Sequence, residues 1–433
     1  MSRLVGVLAL AAALVAPAAM VGGAEITRTQ LDNSLTVIVR ENPVAPVVAV
    51  SVMTRMGARW EQPANSGISN FVHAVMVKGT MRRSGSELAQ TIAGFGGKLT
   101  ASGEVDYSEI RTSGLARFWR ELLGMTAELA LEPKLAPEEV DRERDWLLSR
   151  VQKRRDSAPA RAFDELYAAL YGTHPYALPA LGTRESLSRI DHAAIVAHYR
   201  AFYRPDRITL AVSGQVSAPE VVAEARRLFA GMAARPPAPD APIPPPQAEA
   251  RRVVIQQAAQ QAQILVAGIA PSMSHPDHAA VKVLSGILGG GMAGRLFSEI
   301  RDKLGLAYTA AAYYDPVHEP GALVLYLGTT PETAEKAEQA LQAEIARIQG
   351  ETVPDDELRR AKRFLLGRYA MDRRTNERQA WYLAFYDVER VGSSYPARYR
   401  LAVEGVTAAD VQRAAKTYLG TLTTVVLGPR PSR

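Results

Sequence analysis

Cysteine is absent from the 433 residues. The chain can therefore form no disulfide, no thiolate nucleophile and no cysteine metal site. Blocks of five or more like charges are also missing, because the net charge of +6 is spread along the sequence. Proteins that bind nucleic acid usually concentrate their basic residues in a patch or stripe. Nucleic acid is therefore not expected as a partner.

Long apolar runs are confined to the beginning of the chain. Residues 1–24 contain Arg3, an apolar stretch over 4–19 and a Gly-Gly-Ala sequence before Glu25. This order is typical of a cleaved secretory signal. The alternative is an uncleaved anchor, but the apolar run of about sixteen residues is shorter than the roughly twenty that a membrane span needs. We expect a periplasmic or secreted protein that begins near Glu25 and has no stable membrane span.

A proline-rich segment, residues 235–247, reads RPPAPDAPIPPPQ. Proline fixes the backbone and removes hydrogen-bond donors, so this segment is predicted to be an extended, semi-rigid linker. It divides the mature chain into an N-terminal lobe, 25–234, and a C-terminal lobe, 248–433.

The two predicted lobes repeat one pattern of elements. In both, a β-branched strand is followed by two helices, a pair of strands and a longer helix, and a late helix leads into a final strand. The predicted ranges are 47–53, 67–76, 84–93, 98–102, 107–113, 116–130, 192–202 and 208–213, then 262–269, 278–288, 295–303, 307–314, 322–328, 333–348, 408–419 and 423–427. This pattern predicts an α+β fold of two homologous lobes, each a mixed or antiparallel sheet with flanking helices, arranged like a clamshell around a cleft.

Residues 67–80 read GISNFVHAVMVKGT. The segment resembles the part of pitrilysin/insulinase-like metallopeptidases that holds the inverted zinc motif H-x-x-E-H, within a frame G-x-x-H-F-x-E-H-x-x-x-K-G-T. The frame residues are in register at Gly67, Phe71, Lys78, Gly79 and Thr80. The chemical groups are missing. Asn70 stands in place of the first histidine, His73 in place of the glutamate base, and Ala74 in place of the second histidine.

The third zinc ligand of that family is a glutamate on a later helix. Residues 140–150, VDRERDWLLSR, match this helix and place Arg150, or Ser149, at the ligand position. Zinc needs about three deprotonated nitrogen, oxygen or sulfur donors, whereas Asn70, Ala74 and Arg150 offer an amide, a methyl group and a cation. We expect no zinc in this chain. An unorthodox metal site around His73 is an alternative, and His275 and His278 are interpreted as surface loop residues.

Residues 289–308, GGGMAGRLFSEIRDKLGLAY, resemble the second signature of the same family, and 171–176 and 182–184 match lesser ones. The three glycines lack the G-K-[ST] of a phosphate loop, so they are predicted to end a helix with positive φ. The resemblance implies that Arg301, on a helix, and Tyr308, opening the next strand, hold the substrate peptide and stabilise the oxyanion. Arg295, on the same helix, is assigned no chemistry.

The chain combines degenerate metal positions in its first half with a family-like Arg/Tyr signature in its second half. This combination suggests that two subunits contribute different parts of one active site. The resemblance implies a heterodimer in which a homologous partner supplies zinc and base, this chain supplies Arg301 and Tyr308, and the substrate is an unfolded peptide. The chain alone is then expected to have no zinc-dependent activity and no cofactor. The alternative is a homodimeric pseudopeptidase that binds peptides or assists assembly.

Overall fold

The computed structural model describes residues 26–236 and 240–429. The predicted signal sequence and the expected start at Glu25 lie outside these residues. Among the described helices, none is long and apolar enough to cross a membrane.

The first half forms a six-stranded sheet in the order β1-β2-β6-β3-β5-β4. Its strands are β1 Ile26–Gln30, β2 Thr36–Glu41, β3 Val47–Thr54, β4 Lys98–Gly103, β5 Ser108–Leu115 and β6 Ile208–Gly214. Strands β2 and β6 are parallel, and the other pairs are antiparallel. Strands β3 and β6 occupy the centre of this sheet. Because both are buried along almost their whole length, the sheet is covered on both faces.

The helices of the first half flank this sheet. They are α1 Ile68–Met76, α2 Gly85–Gly94, α3 Trp119–Leu131, α4 Pro137–Asp156, α5 Ala158–Tyr171, α6 Arg184–Arg189, α7 His192–Phe202 and α8 Ala218–Leu228. Helix α1 packs on β4 and β5, α3 packs on β3 and β5, and α8 packs on β2. Helix α4 lies against α1.

The second half repeats the plan with a five-stranded sheet in the order β7-β11-β8-β10-β9. Its strands are β7 Arg251–Gln256, β8 Ala262–Ala270, β9 Thr309–Tyr314, β10 Gly321–Thr329 and β11 Thr423–Gly428. Only the β7–β11 pair is parallel among the described pairs. The helices are α9 His278–Gly289, α10 Ala334–Gly350, α11 Asp355–Asp372, α12 Asn376–Val388, α13 Tyr395–Gly405 and α14 Ala408–Tyr418, with a π-helix, Leu296–Lys303, between α9 and β9.

Each lobe sends one helix onto the other lobe's sheet. Helix α12, from the second half, packs on β2, β3 and β6, and helix α5, from the first half, packs on β7, β8 and β11. Leu383 of α12 belongs to a buried cluster with Met53 of β3, and Leu166 of α5 to one with Leu265 of β8. Helices α5 and α12 thus each cover one face of the other lobe's sheet. The two lobes are held together by this packing as well as by the chain connection.

The proline-rich segment is attached to both lobes through Asp240. The Asp240 carboxylate lies 2.9 Å from Arg207 and 3.3 Å from Arg55 in the first half, and 3.4 Å from Arg390 in the second. Burial alone would raise the pKa of Asp240, but Arg207 and Arg55 outweigh this effect and hold that pKa below its ordinary value. Asp240 therefore ties the described residues 240–247 of the segment to both lobes.

The predicted α+β class, with two similar lobes and mixed sheets, is confirmed. The lobe boundaries at 234 and 248 remain predictions.

Candidate functional site

Helix α1, which carries the degenerate zinc motif, begins at a closely packed corner. Gly67 has φ of 86°, and a Cβ there would lie 2.5 Å from the Cα of Gly182. The Glu61 carboxylate accepts hydrogen bonds from the backbone N–H groups of Gly67 (2.7 Å) and Ser69 (2.9 Å). A carboxylate at a helix N-terminus accepts hydrogen bonds from the free N–H groups and interacts favourably with the helix dipole. Burial nevertheless raises the pKa of Glu61.

His73 lies on the buried side of α1 and is fully enclosed. Its Nδ1 is 2.8 Å from the carbonyl oxygen of Ser69, and its Nε2 is 2.7 Å from the hydroxyl of Tyr203. Because a carbonyl can only accept, Nδ1 carries the proton and Nε2 accepts from Tyr203. Burial lowers the pKa of His73 to about 4. With both ring nitrogens engaged, the alternative of a metal site built around His73 is wrong.

Asn70 and Ala74 lie on the same helix, and both are half-buried. The Nδ2 of Asn70 is buried without a hydrogen-bond partner among the described residues. Strand β4 comes very close here, since a Cβ on Gly103 would lie 2.5 Å from the backbone nitrogen of Asn70. At the first ligand position the backbone thus lies against the edge strand, and the side chain is an amide.

Arg150, at the third ligand position, is exposed on α4. Its guanidinium lies 4.7 Å from the ring centre of Trp146. A salt bridge of 2.7 Å between Lys78 and Glu143 links the end of α1 to the same helix. An amide, a methyl group and a permanent cation do not fit a zinc ion. Nowhere in residues 26–236 and 240–429 do three or more His, Asp or Glu side chains form a group that could hold a metal.

The second signature forms a glycine loop followed by the π-helix. Gly291 has φ of 71°, which agrees with the predicted loop conformation. Arg301 is exposed on the π-helix, with its guanidinium 4.6 Å from the ring centre of Phe297 and no ion pair to any described residue. π-Helical turns are rare and are often found at functional sites.

Tyr308 immediately precedes β9, one residue before the strand begins. Its backbone N–H donates to the carbonyl of Gly328 (2.8 Å), which fixes the main chain. Its side chain is 59% exposed, and its hydroxyl has no hydrogen bond to the described part of the chain. Both residues of the signature therefore present unpaired donors to solvent.

Arg295 has a structural role that the sequence did not reveal. It is only 4% exposed. Its Nε and Nη2 bind both carboxylate oxygens of Glu357 (2.7 and 2.8 Å), and its Nη1 lies 3.2 Å from Glu344. Arg295 thus anchors the start of the π-helix to α10 and α11. Its glutamates lie far along the chain, so no local motif signals this role.

His278 is likewise not the surface loop residue that was expected. It begins α9 and is 4% exposed, with Nδ1 2.8 Å from the Tyr314 hydroxyl and Nε2 2.9 Å from the Tyr395 hydroxyl. Burial lowers the pKa of His278 to about 3. His275 is exposed, as expected.

Two family models match this chain in succession. The model described as insulinase (peptidase family M16) matches residues 36–184, and the model described as peptidase M16 inactive domain matches residues 189–365. Together they cover more than half of the sequence. This chain belongs to the M16 peptidase family. Since its zinc-motif positions hold Asn70, His73 and Ala74, it is a non-catalytic M16 member.

Curated relatives of this M16 protein are named as zinc proteases. An uncharacterized zinc protease of Rickettsia bellii is 25% identical over 411 residues, covering 93% of this chain and 97% of the relative. An uncharacterized zinc protease of Mycobacterium leprae is 29% identical over 351 residues, covering 79% of this chain and 78% of the relative.

Solved structures show the same fold. A peptidase M16 inactive domain from Pseudomonas fluorescens superposes with a TM-score of 0.87 at 23% identity, covering 94% of this chain and 99% of that one. A protease from Helicobacter pylori also gives a TM-score of 0.87, at 21% identity, covering 94% and 100%. At these identities the likeness concerns the two-lobed M16 fold alone.

Proposed function

We propose that this chain is the zinc-less subunit of a heterodimeric M16 peptidase and supplies Arg301 and Tyr308 to the active site of a homologous H-x-x-E-H partner. The observation that carries the proposal is that both side chains are exposed and unpaired among the described residues. The same chain has no donor set at its own metal positions for them to serve.

The two donors suit the stabilisation of an oxyanion. Arg301 is permanently charged and offers a planar fork of N–H donors, and Tyr308 offers one O–H on a fixed main chain. Donors that point at developing negative charge typically contribute a few kcal/mol each to the transition state. In the proposed complex the partner supplies zinc and the general base, and the substrate is an unfolded peptide.

The N-terminal pattern of Arg3, an apolar stretch and Gly22-Gly23-Ala24 supports export, so we place the complex in the periplasm or outside the cell. Mass spectrometry of the envelope fraction is expected to find a mature N-terminus at or near Glu25. A cytosolic protein that retains Met1 would refute this part of the proposal.

The experiment that tests the proposed function is reconstitution. The mature chain is co-expressed with an H-x-x-E-H relative from the same organism, and hydrolysis of an unstructured peptide is measured for each subunit alone and for the mixture. The proposal predicts co-purification and activity that requires both subunits. If this chain instead forms homodimers that bind peptide and leave the relative's activity unchanged, it is a pseudopeptidase and the proposal fails.

A further inference from the structure

A cluster of ionisable side chains lies at the seam between the two lobes and takes no part in the proposed function. Asp106 comes from the turn between β4 and β5 in the first lobe. Glu389 follows directly after α12, the helix that the second half sends onto the first sheet. Each residue is only 4% exposed.

Asp106 is bound from both lobes. The Tyr176 hydroxyl donates to Oδ1 at 2.6 Å, and the backbone N–H of His318, in the loop between β9 and β10, donates to Oδ2 at 3.1 Å. The Tyr176 hydroxyl in turn accepts from the N–H of Glu319 at 2.9 Å. The Asp106 carboxyl therefore ties the β9–β10 loop of the second lobe to the first lobe.

Glu389 is buried without such support. Neither of its carboxyl oxygens has a hydrogen-bond partner among the described residues. The nearest ionic contact is His318 Nδ1, 3.4 Å from Oε2. Arg59 is the neighbouring cation, but it is paired with Glu319 at 2.5 Å. Arg59 is thus the cation shared by the carboxyls of Asp106, Glu319 and Glu389.

The titratable and charged groups around the pair come from four elements. They are Arg59 after β3, Tyr171, His174 and Tyr176 at and beyond the end of α5, His318 and Glu319 between β9 and β10, and Arg390 beside Glu389. Arg390 is engaged with Asp240 at 3.4 Å. Burial lowers the pKa of both His174 and His318, so neither supplies a dependable positive charge. The seam has more acid than base.

A buried excess of carboxyls favours the protonated form. Burial and the nearby Glu389 charge raise the pKa of Asp106 to about 7, although the hydrogen bonds from Tyr176 and His318 oppose the shift. Burial raises the pKa of Glu389 to about 8, although Arg59 opposes the shift. A cavity of about 520 Å³, lined by Asp106 and Tyr176 among others, reaches the Asp106 side of the seam.

We propose that Asp106 and Glu389 form a proton-operated latch between the two lobes, closed while the pair holds its protons and loosened when the protons leave. The latch joins elements that lie next to the degenerate zinc motif on α1 and to the signature that contains Tyr308. Strand β4, beside Asp106, packs on α1. The loop that holds His318 follows β9, whose first residue comes directly after Tyr308. Opening the seam would therefore change how the two lobes present these elements.

The direction of the pH effect follows from proton linkage. Once the seam opens, the carboxyls meet water and ionise near their ordinary pKa of about 4. Opening therefore releases protons. Rising pH favours the open seam from about pH 4 up to the pKa values of Asp106 and Glu389 in the closed seam, about 7 and about 8. The opening equilibrium should rise by up to about tenfold per pH unit for each carboxyl and level off above about pH 8.

Hydrogen exchange of the mature chain tests the latch without any partner. Protection of segments 104–107, 315–320 and 386–391 is measured from pH 5 to 9 and corrected for the intrinsic pH dependence of exchange. The variants are Glu389→Gln, Asp106→Asn and the control Glu344→Gln. Glu344 is also a buried carboxyl whose pKa is raised by burial, but it contacts Arg295 and Arg347 within the second lobe.

The proposal predicts that protection of the three segments falls at least about tenfold from pH 5 to 8 in the wild type and in Glu344→Gln. Glu389→Gln and Asp106→Asn should each reduce the change of protection with pH, because each removes one carboxyl that releases a proton on opening. Wild-type protection that does not change with pH would overturn the latch. So would an unchanged slope in both seam variants. If one seam variant fails to fold, the other still decides.

Discussion

The imidazole of His73 accepts a hydrogen bond of 2.7 Å from the hydroxyl of Tyr203, at the position where the metallopeptidase frame has its glutamate base. Ser69 occupies the other ring nitrogen at 2.8 Å. The residue that replaces the base is therefore part of the buried packing between α1 and the end of α7. Replacement of the catalytic group by a structural one fits a chain whose chemistry depends on another subunit.

The purified chain is expected to bind no stoichiometric zinc, because Asn70, Ala74 and Arg150 supply no suitable donor set. Helix α4, which carries Arg150, packs against α1, which carries Asn70 and Ala74. We therefore expect the triple variant Asn70→His, Ala74→His and Arg150→Glu to gain zinc binding. Elemental analysis after dialysis checks both statements. A tightly bound zinc in the wild type, or none in the triple variant, would contradict them.

Buried histidines should make the fold sensitive to acid. Burial lowers the pKa of His73 and His198 to about 4 and that of His278 to about 3. At these three sites the unfolded chain therefore binds more protons than the folded one from about pH 6.5 down to about 4, and their contribution to the free energy of unfolding falls as pH falls. Each histidine contributes up to about 1.4 kcal/mol per pH unit.

The seam carboxyls act in the opposite sense, and so do Glu61 and Glu344, whose pKa values burial also raises, so the histidine effect is measured at each imidazole. NMR titration of labelled imidazoles should show His73, His198 and His278 neutral through pH 6. Protonation of these rings near pH 6.5 would contradict the burial argument.

Arg295→Ala should destabilise the second lobe by about 3 kcal/mol or more. The substitution removes the buried cation that pairs with Glu344 and Glu357 and leaves both carboxylates without it. The matched control is Lys303→Ala on the same π-helix, whose exposed ion pair with Glu299 should contribute about 1 kcal/mol or less. Chemical denaturation measures both. Equal, small losses would show that Arg295 does not anchor the π-helix.

Local patterns predicted much of this molecule. The runs 47–53 and 208–213 predicted β3 and β6 as strands, and the register of 67–80 placed Asn70, His73 and Ala74 on one helix. Contacts between distant segments could not be predicted this way. The exchange of α5 and α12 depends on which open sheet face each helix covers. The approach of Asp106 to Glu389, and of Arg295 to Glu357, depends on tertiary packing that no local motif encodes.

The most direct test of the central claim is the turnover of a reconstituted heterodimer that carries Tyr308→Phe or Arg301→Ala. Loss of an oxyanion donor should lower kcat and kcat/KM together by about ten- to a thousandfold. Subunit assembly and the partner's zinc content should remain unchanged, and Lys303→Ala should retain wild-type turnover. Wild-type kcat in both Tyr308→Phe and Arg301→Ala heterodimers would contradict the claim that this chain completes its partner's active site.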